Sequence, residues 1–242
     1  MTKLVALVTG ANKGIGFETA RQLAREGVHV IIASRDAAQG DAAAKRIADE
    51  GGSAEAVALD VTNAASVEAA ARDVEKKHGR LDILVNNAGI MIDAFDKAPS
   101  EQGLDLWRKT FDTNLFGVVA TTKAFLPLVR KSAQGRIVNV SSILGSMAAN
   151  VDPQSAFYNF KIPAYNISKS ALNAWTIHLA YELRDTSIKV NAAHPGFVKT
   201  ALHGVDAPMS PEEGARTSVR LALLDKEGPT SSFFHNEEVQ PW

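Results

Sequence analysis

Short apolar runs and longer amphipathic stretches alternate along this chain from its first residues. Leu4–Val8, Val28–Ser34, Ala54–Leu59, Leu81–Val85, Arg136–Val140 and Ile188–Ala193 are short, β-branched and mostly continuously apolar. That is the pattern of strands buried on both faces of a parallel sheet. Between them, Ile15–Glu26, Ala37–Glu50, Ala64–Lys77, Gly103–Arg130 and Ala164–Arg184 carry helical spacing. Strands alternating with helices of this length predict right-handed βαβ crossovers in one doubly wound parallel α/β sheet of the Rossmann type, helices on both faces. Ser210-Pro211-Glu212-Glu213 reads as a capping serine, a proline at the first helical position and a glutamate at the third. The helix it opens should run to about Leu224, and Gly228-Pro229 then turns the chain toward a short last strand at Ser232–Phe234. No linker, repeat or low-complexity tract interrupts the pattern, so residues 1–242 read as a single domain.

Two stretches break the alternation, residues 143–163 and 199–209. Each follows the carboxyl end of a strand, where open α/β sheets bind ligands, and long loops there are usually functional. They are the expected substrate-loop segments. Met91, Tyr158, Phe160, Leu202 and Met209 lie in or near them, with pocket shaping and plain loop packing as equal readings.

Composition narrows the class. A hydrophobic content of 45% is ample for a core, and a net charge of −1 with dispersed Lys and Arg excludes a nucleic-acid face or a polybasic membrane anchor. The absence of cysteine excludes disulfides and thiol catalysis and suits a reducing compartment. The apolar start is too short for a secretory core, and no run approaches the ~18 apolar residues of a membrane span. A cytoplasmic setting is therefore expected. The six histidines (His29, His78, His178, His194, His203 and His235) show no metal-ligand spacing, so packing or surface roles and no metal are expected.

The first strand runs into Thr9-Gly10-Ala11-Asn12-Lys13-Gly14-Ile15-Gly16. Glycines there let the backbone turn sharply and approach a pyrophosphate, which meets the free N–H groups at the helix start. Charge decides between dinucleotides. NAD-selective sites place an acid at the end of the second strand, but here Ser34 is followed by Arg35, and Lys13 lies in the glycine turn itself. Two cations near the adenosine ribose favour the 2′-phosphate of NADP(H). Asp36, one position further on, reads as the N-cap of the next helix.

Tyr165 and Lys169 lie four residues apart, one helical turn, and Ser141-Ser142 precede the tyrosine in the run after the fifth strand. A phenol titrates near ~10, too high for acid–base work at neutral pH, and a neighbouring cation favours the phenolate. Strand alternation turns Ser141 and Ser142 to opposite sides.

The combined motifs resemble the short-chain dehydrogenase/reductase family. The matches are Thr9-Gly-x-x-x-Gly-x-Gly16, Asp60-Val61, Asn86-Asn87-Ala88-Gly89, Asn114, Ser142, Tyr165-x-x-Ser168-Lys169 and Pro195-Gly196-x-x-x-Thr200, in family order across residues 3 to 200. The tail from Gly228 to Trp242 more loosely resembles NADPH-dependent carbonyl reductases of that family. The resemblance implies an oxidoreductase moving a hydride between NADP(H) and a ketone or aldehyde. Tyr165 would exchange the proton, and Lys169 would bind the nicotinamide ribose and lower the tyrosine pKa. Ser142 would hold the substrate oxygen, and Asn114 would help hold a water beside Lys169. Asp60 and Val61 would flank adenine, Asn87, Ala88 and Gly89 would line the cofactor channel, and Pro195, Gly196, Val198 and Thr200 would meet the nicotinamide side. The segment between Ser142 and Tyr165 is longer than in most members, which leaves monomer or homo-oligomer open. The alternative from another class is a catalytically idle NADP(H)-binding sensor. An epimerase of the longer family branch is a poor fit, because few residues follow Thr200.

Overall fold

The computed structural model describes residues 3–200 and 206–242. The sequence expectation for Leu202 and the one for His203 lie outside the described residues. Strands β1 (Val5–Thr9), β2 (His29–Ser34), β3 (Ser53–Ala58), β4 (Ile83–Asn86), β5 (Arg136–Val140), β6 (Lys189–Ala193), β7 (Phe233–His235) and β8 (Glu238–Val239) form one sheet among the described residues. Its order is β3-β2-β1-β4-β5-β6-β7-β8. All pairs are parallel except the final β7–β8 hairpin, which the sequence reading missed.

The helices are α1 (Gly14–Arg25), α2 (Ala37–Asp49), α3 (Ala64–His78), α4 (Leu104–Phe111), α5 (Gly117–Val129), α6 (Met147–Val151), α7 (Pro163–Glu182) and α8 (Pro211–Ala222). Alternate residues of the central strands feed two apolar cores. Ala6, Val8, Val30 and Ile32 pack against Phe17 and Leu23 of α1 and Leu221 of α8. Leu7, Ile31 and Leu84 pack against Val67 and Val74 of α3, Phe125 of α5 and Leu179 of α7 on the other face. Burial on both faces explains the unbroken apolar runs of the inner strands. The edge strand β3 is only half-buried.

Local chemistry set most boundaries as expected. Asp36 caps α2 by accepting from Gln39 N–H, and Ser210 and Glu213 form the reciprocal capping box of α8. One expectation needs correction. Residues 103–130 are not one regular helix: α4 and α5 are joined by a π-helical turn at Asp112–Phe116, with Asn114 inside it. Such bulges favour functional positions, because the extra residue re-aims a side chain. The 143–163 segment likewise contains a 3₁₀ turn at Ile143–Gly145 and the short helix α6.

Strand order reverses between β1 and β4, so the turn after β1 and the Asn86–Gly89 run after β4 lie side by side. That is the switch point where ligands meet a doubly wound sheet. No described helix is long and apolar enough to cross a membrane.

Candidate active site

The glycine turn is held open by backbone geometry. Gly10 and Gly14 adopt φ of +62° and +58°, a left-handed region that favours glycine. At Gly16 a methyl group would come within 2.4 Å of Asn87 Nδ2 and 2.6 Å of the Gly10 carbonyl oxygen, so helix and turn touch only because no side chain intervenes. Lys13 occupies the N-cap of α1 without a side-chain cap, leaving the first N–H groups of the helix directed at the turn. Ile15 continues that first turn, its carbonyl accepting from Thr19 Oγ1. Asn12 Nδ2 donates to Gln39 Oε1 and ties the turn to α2. This uncapped helix start in a glycine cradle fits a dinucleotide pyrophosphate.

Thr9, which the sequence reading passed over as a mere motif position, is the hub between β1 and β4. Its Oγ1 accepts from the backbone N–H groups of Asn87 and Ala88, at 2.9 and 3.0 Å. Asn87 returns the contact by donating to the Thr9 and Gly10 carbonyls. The Asn87 side chain therefore fastens the turn, and Ala88 and Gly89 continue along its open edge. Gly89 sits where a methyl group would lie 3.4 Å from Asn114 Oδ1 and 3.6 Å from Lys169 Nζ.

At the adenosine side Lys13, Arg35 and Asp36 are exposed. The hydroxyl and amide of Thr62 hold the Asp60 carboxyl below its ordinary range, and Arg35 adds a smaller pull, which places Arg35 beside Asp60. Val61 packs under Gly117 at the start of α5.

The polar cluster at the other side of the switch point is almost sealed. Tyr165, Ser142, Lys169 and Asn114 are 5%, 8%, 4% and 0% exposed. Tyr165 packs with Leu144 and Ile162, flanked by Met91 and Phe157. Its phenol meets the Ser142 hydroxyl, whereas Ser141 donates to Asn173 Oδ1 at 2.6 Å on the opposite side of the strand. Burial pushes the Tyr165 phenol up to about 12, and the hydrogen bond with Ser142 pulls it the other way. Burial pushes the Lys169 ammonium down to about 8. Lys169 Nζ lies 5.7 Å from the centroid of the Tyr165 ring and donates to the Val140 carbonyl at 2.7 Å.

One expectation changes here. The sequence reading had Lys169 lowering the phenol pKa, yet desolvation outweighs the other influences and the phenol is raised. The Asn114 side chain, expected to help hold a water beside Lys169, makes three hydrogen bonds to protein. Its Oδ1 accepts from Ile90 N–H, and its Nδ2 donates to the Ile90 carbonyl and to Ser168 Oγ. Ser168 in turn donates to the Tyr165 carbonyl, so Asn114 clamps the first turns of α7 to the loop after β4.

Several positioning residues escaped the sequence reading. Helix α7 begins with Ile162 at its N-cap and Pro163 next, with no local side-chain cap. The cap comes from Asp93, whose carboxylate accepts from the N–H groups of Ala164 and Tyr165 at 2.7 and 3.2 Å. A long helix opening on isoleucine and proline was the available signal that a distant residue must supply the acceptors. Gly145 lets the 3₁₀ turn press on α7: a methyl group there would lie 2.7 Å from Lys169 Cβ. Asn150 donates to the Leu144 and Ser146 carbonyls and closes the longer Ser–Tyr segment on itself.

Beyond β6, Pro195 is buried and Gly196 takes φ of +86° against Met209. Val198 bridges Met209 and turns its buried side chain onto Gly214 of α8. Thr200 lies beside the glycine turn, 3.7 Å from where a Gly14 methyl would sit. The candidate positions thus converge on one crevice along the carboxyl edge of β1, β4, β5 and β6.

Comparison with known proteins fixes the class. Residues 4–209 match the short chain dehydrogenase family model. The chain belongs to the short-chain dehydrogenase family and is an oxidoreductase acting on CH–OH or C=O groups. A Penicillium roqueforti short-chain dehydrogenase is 39% identical, the match covering 92% of this chain and 89% of that one. Carbonyl reductase (NADPH) 1 of Mus musculus is 36% identical, with 98% of each chain covered. The structure of NADPH-bound carbonyl reductase from chicken fatty liver superposes with a TM-score of 0.87 at 27% identity, over 100% of both chains.

Proposed function

We propose that this chain is an NADPH-dependent carbonyl reductase for apolar ketones or aldehydes. The observation that carries the reading is the buried phenol of Tyr165 facing the Ser142 hydroxyl, with the Lys169 ammonium one turn below. A phenol raised to about 12 is fully protonated at neutral pH, the state a proton donor needs for reduction. Ser142 Oγ accepts from Leu144 N–H, so its single proton, turned to the Tyr165 phenol, can swing to a substrate oxygen.

Gly10 to Gly16 would hold the pyrophosphate of a dinucleotide, Asp60 and Val61 its adenine side, and Asn87 to Gly89 with Pro195 to Thr200 its nicotinamide side. Lys13 and Arg35 support NADP(H) over NAD(H), because both are solvent-facing cations, in the glycine turn and directly after β2, while Asp36 is engaged in capping α2. A bound nicotinamide supplies the hydride that the carbonyl carbon accepts. As charge grows on the carbonyl oxygen, Ser142 and Tyr165 donate hydrogen bonds to it inside a dry site. Tyr165 then gives up its proton, and the nearby ammonium of Lys169 stabilises the phenolate left behind.

The rim supports an apolar substrate. Met147, Val151, Phe160 and Phe197, in the stretches that follow β5 and β6, are all more than half exposed, and Ile92 and Tyr158 are exposed as well. The cysteine-free chain is assigned to the cytoplasm on the same reading. The test is NADPH consumption at 340 nm against a panel of aliphatic and aromatic ketones and aldehydes. Consumption with apolar members is expected. Cofactor binding without consumption across the panel would favour the idle sensor.

A further inference from the structure

We propose that His29, Glu55 and His78 form a binding site for zinc(II), remote from the catalytic crevice. The three come from separate elements: the first residue of β2, the middle of β3 and the last residue of α3. One ligand atom from each lies within 4.8 Å of the other two. Some point is therefore within about 2.8 Å of all three, and less than ~1 Å of movement reaches the ~2.0–2.2 Å bonds zinc makes to imidazole and carboxylate. Two histidines, one glutamate and a solvent position make up a known four-coordinate zinc set.

One ligand position stands without a partner, although the Lys77 ammonium lies close by. His29 Nε2 is buried with no hydrogen-bond partner, a cost that a metal would remove. Its other nitrogen, Nδ1, contacts Ser53 Oγ at 2.8 Å. If that nitrogen carries the proton, Nε2 keeps its lone pair, the outer-shell support typical of metal-bound histidine. His78 Nε2 meets Glu55 Oε1 at 2.8 Å and Lys77 donates to the other oxygen, Oε2, at 3.0 Å, so zinc would take the place of the proton between Nε2 and Oε1. The site also lies at the carboxyl end of α3, where the helix dipole favours positive charge.

His29 and Ser34 are at opposite ends of β2, so the site is roughly 17 Å from the cofactor edge. Bound zinc would tie β2, β3 and α3 together without touching substrate. No linear spacing announces it, since the three residues are dispersed along the chain and only the β2–β3 register with α3 unites them.

The experiment uses purified full-length protein stripped with EDTA. Cobalt(II) titration followed by its visible d–d absorption, and zinc titration by calorimetry, should both give one equivalent with roughly micromolar affinity. His29→Ala should weaken binding about 100-fold and Ser53→Ala about tenfold, while His235→Asn leaves it unchanged. Zinc should raise the melting temperature of the wild type and not of His29→Ala. No intense tetrahedral cobalt spectrum in the wild type, or one that survives in folded His29→Ala, would overturn the proposal. Loss of binding in His235→Asn alone would place the metal at the His194–His235 pair and overturn it equally.

Discussion

At the glycine-turn end of the crevice, the binding surface is backbone: positive-φ glycines, an uncapped helix start and exposed cations within a span of a few dozen residues. At the Ser142–Tyr165–Lys169 end, it is side chain, buried and held by partners far away in sequence. Asp93 caps Tyr165 from 72 positions away, and Asn114 reaches Ser168 across 54. On the proposed reading the first end would meet the pyrophosphate and ribose of a dinucleotide, for which solvent-facing charge and open N–H groups suffice. The second must hold a phenol and an ammonium in fixed protonation states, which takes desolvation and a fully bonded surrounding network.

Removing donors from the buried end should therefore cost rate, and removing cations from the open end should cost only affinity. Ser142→Ala should lower kcat for carbonyl reduction about 100-fold or more, as for loss of one oxyanion donor. Ser141→Ala, which faces Asn173, should cost far less. Equal losses in the two variants would break the assignment.

The pH dependence sharpens the same contrast. Lysine is charged when protonated, so a pKa lowered to about 8 means Lys169 loses its ammonium as pH rises through that value. The kcat/KM for reduction should fall above pH 8, approaching tenfold per pH unit, because free-enzyme ionisations govern that parameter. The falling limb should be absent from the residual activity of Lys169→Met. A wild-type profile flat to pH 10 would contradict it.

At the open end, Lys13→Ala and Arg35→Ala should each raise KM for NADPH about tenfold, the size of one charge-assisted bond, and leave KM for NADH and kcat nearly unchanged. The smallest effect is expected at the join between the ends. Asp93→Ala removes the cap of α7 and should cost about 1 kcal/mol in chemical denaturation, with a several-fold drop in kcat as Tyr165 loosens. Unchanged denaturation and unchanged kcat would remove Asp93 from the positioning network.

The same division explains what could be read without coordinates. The glycine turn, the Asp36 cap, the Ser210–Glu213 box and the Tyr165–Lys169 turn are local patterns, and local patterns survive in one dimension. The first six strands were legible too, because buried strands leave apolar runs, whereas their order in the sheet was not read from them. The Asp93 cap and the Thr9 hub depend on which strand ends become neighbours, and sequence spacing does not carry that information. The π turn at Asp112–Phe116 was hidden because Gly103–Arg130 keeps helical periodicity through the bulge. The Tyr165 pKa was misjudged for a physical reason: the cation beside the phenol was visible, but the apolar packing by Leu144 and Ile162 was not.

Single-turnover carbonyl reduction by Tyr165→Phe, with NADPH affinity measured on the same sample by fluorescence, tests the proton-donor role most directly. The account predicts unchanged NADPH binding and a rate reduced at least about 1,000-fold. A folded variant that binds NADPH and reduces the carbonyl at near wild-type rate would contradict it.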